Sequence, residues 1–134
     1  MLKGNFTSNI EQKKDKKPLY ESYIWALENR GKEIKRIFDV LTNKDHYPIV
    51  IHCYAGKDRT GIIIALIHLL IGTSRDSIKQ DYIISSTENK ISDIQAIMTY
   101  VDNKGGINNY LENIGTSKHS QEKILQSLTA HQDY

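Results

Sequence analysis

Apolar residues recur at three- and four-residue steps through most of this chain. Tyr20, Tyr23, Ile24, Leu27, Ile34, Ile37, Phe38 and Leu41 follow that rhythm and predict an amphipathic helix. Pro18 suits its first turn, and Gly31 weakens the helix without having to end it. The polar stretch from Asn43 to Pro48 reads as a loop, and the apolar run Ile49-Val50-Ile51 as a short buried strand. Ile62 to Ile71 is apolar on nearly every face, which predicts the central buried helix, stopped by Gly72 in a left-handed turn. Ser74 is placed to cap a helix carrying Ile78, Tyr82 and Ile83, and Ser92 to cap one carrying Ile94, Ile97, Met98 and Val101. Gly105-Gly106 breaks the latter. A short helix with Ile107, Tyr110, Leu111 and Ile114 follows, then a last one with Ile124, Leu125 and Leu128.

Composition narrows the classes without choosing among them. A chain of 134 residues with 39% hydrophobic content fits one domain with its own core. A net charge of +2 is too small to argue for nucleic acid or for a membrane surface. No stretch is long and apolar enough to span a bilayer, and the N-terminus lacks the apolar core of a signal peptide. The single cysteine excludes an internal disulfide framework and suits a reducing compartment, so a cytoplasmic location is expected. Residues 1–17 end in a lysine-rich polar run without periodicity and are expected to be a solvated arm, leaving residues 18–134 as the folded domain. No internal repeat is present. His46, His68, His119 and His131 show no metal-ligand spacing with Cys53 or with an acid cluster, so neither a metal nor another cofactor is expected. The eight tyrosines are scattered over helix faces, where they serve packing better than base stacking.

The chemistry concentrates between the apolar run at 49–51 and the apolar helix from Ile62. There the sequence reads His52-Cys53-Tyr54-Ala55-Gly56-Lys57-Asp58-Arg59-Thr60-Gly61. A turn rich in backbone N–H groups that opens a helix attracts an anion. Five residues separate Cys53 from Arg59, which lets the turn curl so that a thiol lies at the base of a cup and a guanidinium closes its side. The Arg fork matches two oxygens of a phosphate. A Walker-type loop is excluded, because Asp58 follows Gly56-Lys57 and the earlier glycine is missing.

This string resembles the phosphate-binding loop of the cysteine-dependent protein tyrosine phosphatase superfamily. It is most similar to the branch of bacterial-type tyrosine and lipid phosphatases, with atypical dual-specificity enzymes as neighbours. Weaker echoes follow at Asp81-Tyr82 and from Gly106 to Gly115, where Tyr110-Leu111 precede Gly115; in all, the likeness covers roughly residues 20 to 128. The resemblance implies a phosphatase acting on phosphotyrosine, phosphoprotein or phosphoinositide through a phosphocysteine. In an electropositive cup Cys53 is held as a thiolate and attacks phosphorus, while Arg59 holds the equatorial oxygens. Residues Tyr54 to Arg59 surround the phosphate, and His52 orients the loop. Asp58 is either the general acid for the leaving oxygen or a structural partner of Lys57 or Arg59. Thr60 hydrogen-bonds the thiolate or caps the helix, two roles that are compatible. Lys57 is either a rim cation favouring polyphosphorylated inositol or a solvated lysine.

The fold class expected on this basis is α/β. It corresponds to the C-terminal part of a tyrosine-phosphatase-like domain, rich in helices, with one central strand. The other strands of such a sheet precede the cysteine strand, and only 48 residues precede Ile49. Three arrangements answer that shortfall: strands upstream of this chain, strands donated by a partner or a second copy, or helices that close the core themselves. An incomplete scaffold also leaves a second function open, that of a catalytically inactive phosphate-binding or interaction module.

Overall fold

The structure, a computed structural model, describes residues 19–47, 58–85 and 89–132, of which 58, 59 and 129–132 by their backbone only. Pro18, the strand expected at 49–51 and positions 52–57 lie outside the described residues. Seven α-helices and one 3-10 turn make up the rest: α1 (Leu19–Asn29), α2 (Gly31–Thr42), η1 (Lys44–His46), α3 (Asp58–Ile71), α4 (Arg75–Ile84), α5 (Ile91–Asn103), α6 (Ile107–Asn113) and α7 (Lys118–Gln132).

The α/β expectation is therefore corrected. Among the described residues there is no strand, and the architecture is all helical. The physical reason lies in the period of the apolar positions. The described segments around α3 repeat at the helical step and have an apolar stripe each, and these stripes cover the nearly all-apolar α3 and one another without a sheet. Helix α1 lies along α5, α2 along α7, and α4 along α5. At the centre, α3 packs against α1, α4, α5, α6 and α7. Phe38, Leu66, Ile97, Met98, Leu111 and Ile124 are wholly buried where these faces meet.

Several local expectations are met. Gly72 has φ +83° and ends α3, with Thr73 N–H bonding the His68 carbonyl and Gly72 N–H the Leu69 carbonyl. That is the paired closing bond of a left-handed helix stop. Gly105 ends α5 the same way at φ +93°, with Gly106 opening α6. The Ser74 side chain accepts the Ser77 N–H and caps α4.

Two expectations shift. The first long helix is two, broken at Arg30, whose φ and ψ of −114° and 29° leave the helical region. Across that break the Tyr110 hydroxyl donates to the Leu27 carbonyl at 2.9 Å, and a side chain at Gly31 would press on Ile114 at 3.0 Å. The bend is thus fixed by α6 and the turn after it. Ser92 does not cap α5, which begins one residue earlier with Lys90 at the cap position. The carboxylate of Asp93, three residues into the helix, accepts the Lys90 N–H instead, and also the Tyr20 N–H at the start of α1.

Candidate active site

Asp58, Arg59 and Thr60 form the first turn of α3, one turn earlier than the sequence suggests for the helix start. The anion-attracting end of the central helix therefore coincides with the end of the cysteine-to-arginine string. His52, Cys53, Tyr54, Ala55, Gly56 and Lys57 lie outside the described residues, as do the side chains of Asp58 and Arg59. Thr60 is the one proposed site residue whose side chain is described. Its Oγ1 is buried and has no hydrogen-bond partner among the described residues. A buried hydroxyl left in that condition costs about 1–3 kcal/mol. Such a cost is tolerated where the group serves a ligand or a reacting atom.

Directly beneath the first turn, the Tyr23 and Tyr82 hydroxyls bond to each other at 2.7 Å, both rings buried and edge to face. A methyl group on Gly61 would stand 3.5 Å from the Tyr82 ring and 3.7 Å from the Tyr23 hydroxyl. Gly61 thus rests on two tyrosines, one from α1 and one from α4. The tyrosines do serve packing, as their sequence placement suggests, but their hydroxyls also tie two helices together under the start of α3. Only the Asp81-Tyr82 pair was visible beforehand, as a weak echo; Tyr23 carried no signal beyond its place in the apolar rhythm.

Beside this pair runs a groove of about 270 Å³ between α3 and α4. Its α3 wall is Thr60, Gly61, Ile64, Ala65 and His68, one face of the helix. Ile78, Asp81 and Tyr82 form the α4 wall, and Ser85, Asn89 and Ile94 close it. The floor is aliphatic and the edge polar. His68 Nε2 stands 3.5 Å from the Asp81 carboxylate, and its Nδ1 lies 3.0 Å from the Thr73 hydroxyl. Ser85 donates its hydroxyl to the Asp81 and Tyr82 carbonyls, and the Asn89 amide donates to the Tyr82 carbonyl at 2.7 Å. From the sequence this helix begins at Ile62, which did not place Thr60 on one face with Ile64 and His68.

Among the described residues no three His, Cys, Asp or Glu side chains gather in a way that could hold a metal ion, and no helix is long and apolar enough to cross a membrane. Burial pushes the Tyr110 phenol above its ordinary value, with Tyr100 adding to the effect.

Comparison with known proteins places these features. The sequence profile described as the tyrosine phosphatase family matches residues 3–99. The triple specificity protein phosphatase PtpB of Mycobacterium tuberculosis is 49% identical over 39 residues, covering 29% of this chain and 14% of that protein. A tyrosine-protein phosphatase of Nostoc commune is 35% identical over 68 residues, 51% of this chain and 23% of its own length. A putative tyrosine-protein phosphatase OCA1 of Scheffersomyces stipitis is 33% identical over 49 residues, 37% of this chain and 23% of its own. This chain thus spans less than a quarter of the length of each of these three relatives. No solved structure matches it. The family match takes in the whole string from His52 to Gly61, the first turns of the central helix and the Asp81-Tyr82 pair, and on that ground the chain belongs to the tyrosine phosphatase family.

Proposed function

We propose that this chain is a phosphatase that hydrolyses phosphate monoesters through a phosphocysteine, with residues 18–134 as its catalytic domain. The observation that carries the reading is the Cys53-to-Arg59 string running into the first turn of α3. Membership in the tyrosine phosphatase family supports it. In this mechanism the Cys53 thiolate attacks phosphorus and forms the S–P bond while the P–O ester bond breaks. The leaving oxygen takes a proton from Asp58. Arg59 and the N–H groups of residues 54–59 hold the three equatorial oxygens, where charge spreads in the transition state. Water then attacks the phosphocysteine, giving up its proton to Asp58, and the S–P bond breaks to release phosphate and thiolate. The Thr60 hydroxyl, buried and without a partner among the described residues, supplies a donor to the departing sulfur. Phosphotyrosine in proteins and phosphoinositide head groups are the two substrate classes.

The test is phosphate release by the purified chain from an aryl phosphate, a phosphotyrosine peptide and a phosphoinositide. Cys53→Ser is expected to abolish turnover while vanadate still binds, and Arg59→Ala to lose both. Asp58→Asn is expected to slow alkyl esters, which need a proton, far more than nitrophenyl esters, which leave unaided. Turnover that survives Cys53→Ser overturns the thiol mechanism. Equal losses on both esters assign Asp58 a structural role. Vanadate binding with no turnover by the unaltered chain favours an inactive phosphate-binding module.

A further inference from the structure

We propose that the groove between α3 and α4 receives a lysine or arginine side chain of a phosphorylated protein, close in sequence to the phosphorylated residue. This rests on the phosphatase reading above and chooses between its two substrate classes. Size comes first. At about 270 Å³ the groove lies just below the range of about 300–1,000 Å³ that holds a whole small ligand, so it suits one side chain. Position comes next. The groove opens at Thr60, on the turn that follows the phosphate loop, and reaches His68 eight residues on, about 12 Å along the helix. Successive residues of an extended peptide are about 3.5 Å apart, so a side chain one to three positions from the phosphorylated residue falls within that length.

The lining then decides the chemistry. Ile64, Ala65, Ile78 and Ile94 give an aliphatic floor that suits a methylene stem. Among the described residues the titratable groups facing the groove are His68, Asp81 and Tyr82, and the Tyr82 hydroxyl is bonded to Tyr23. Ser85 spends its one hydroxyl donor on backbone carbonyls and Asn89 one of its two amide N–H groups, which leaves their side-chain oxygens as acceptors in the groove that Asp81 also lines. A carboxylate among acceptors, above an aliphatic floor, complements a side chain with a long apolar stem and a cationic head made only of donors. The same edge repels a polyphosphorylated inositol ring, whose substituents are anionic acceptors. The groove therefore favours a basic phosphoprotein segment over a lipid head group.

The experiment measures kcat/KM for phosphotyrosine peptides identical except for lysine, norleucine or glutamate placed one, two or three residues to either side. Nitrophenyl phosphate and a soluble phosphoinositide head group are assayed alongside. The unaltered chain is expected to prefer lysine over norleucine roughly fivefold at the best position, the scale of one partly exposed ion pair. In Asp81→Asn that ratio should fall close to one, and in Asp81→Lys glutamate should become the favoured residue. Ratios taken within each protein are insensitive to partial unfolding of a variant. A lysine preference unchanged in Asp81→Asn overturns the proposal, as do charge-indifferent peptides or a head group preferred over every peptide. If even nitrophenyl phosphate is not hydrolysed, the phosphatase reading fails and the proposal falls with it.

Discussion

The Asp93 carboxylate accepts backbone N–H bonds from Lys90 and Tyr20, and so finishes the first turns of α5 and α1 together. Only 3% of the residue is exposed. Burial outweighs those two bonds and the nearby Lys90 charge, and holds the carboxyl above the usual carboxylate range. A folded-state pKa raised above the unfolded value of about 3.9 means that the folded protein binds the proton more tightly. The stability this adds is fully present below the unfolded pKa and is lost as pH rises through the folded one. Asp93→Asn keeps an acceptor for Tyr20 without a buried charge. It is expected to melt above the unaltered protein at pH 7, with the gap closing as the pH falls to 4. A gap that does not change with pH would contradict a buried-charge origin. Nothing in the sequence marked Asp93: Ser92, next to it, has the better capping chemistry, and the partner at Tyr20 lies more than seventy positions away. By contrast the Cys53–Arg59 spacing is entirely local, which is why the candidate site was legible without any fold.

Glycine helix stops were the best-read feature at the next scale, because such a stop is written in one or two residues. Gly72 and Gly105 both sit at positive φ, yet they differ in what surrounds them. A side chain at Gly72 meets nothing within 4 Å, whereas one at Gly105 would collide with the Asn109 side chain. Gly72→Ala is expected to cost about 1–3 kcal/mol from backbone strain alone, and Gly105→Ala more than that. Chemical denaturation of the two variants compares them directly, and equal losses would show that Asn109 swings aside freely. Element type was harder. The helices after Gly61 were read from their period, but the break at Arg30 was not, since Gly31 looked like the weak point of an unbroken helix. The bend is set from outside, by the Tyr110 hydroxyl on Leu27 and by Ile114 against Gly31, and such contacts have no local signature. The sheet was expected from family likeness rather than from periodicity, and among the described residues the helices close the core without it.

For the whole molecule, the arrangement of five helices around α3 ties the candidate site to the core. Leu66 lies mid-way along that helix, six residues past Thr60, and is 0% exposed. Leu66→Ala is expected to cost about 2–5 kcal/mol, the range for a leucine deleted from a packed interior. Phosphate release and helical content should then be lost over the same, lower temperature range, because the Tyr23–Tyr82 pair under the first turn of α3 belongs to helices that pack on the same core. A variant that melts at the unaltered temperature would mean that α3 is not the centre of the fold. Surface ties matter less: the paired Arg75–Asp102 bonds at 2.7 and 3.0 Å join α4 to α5 in solvent and contribute at most about 1 kcal/mol.

The only tryptophan of the chain, Trp25, stands on the outer face of α1 with 46% of its surface exposed. The Arg30 guanidinium lies 4.6 Å above its ring, at the bend between α1 and α2. Excited selectively, beyond the tyrosine absorption, the intrinsic fluorescence of this protein is therefore the emission of a half-wet indole under a cation, and it watches that bend. It changes when Arg30 lifts away and is nearly silent about events in the groove between α3 and α4, where no indole lies. A flat fluorescence titration with a substrate peptide is thus no sign that the peptide has failed to bind. An optical readout of occupancy needs an indole brought to the groove, on the peptide itself.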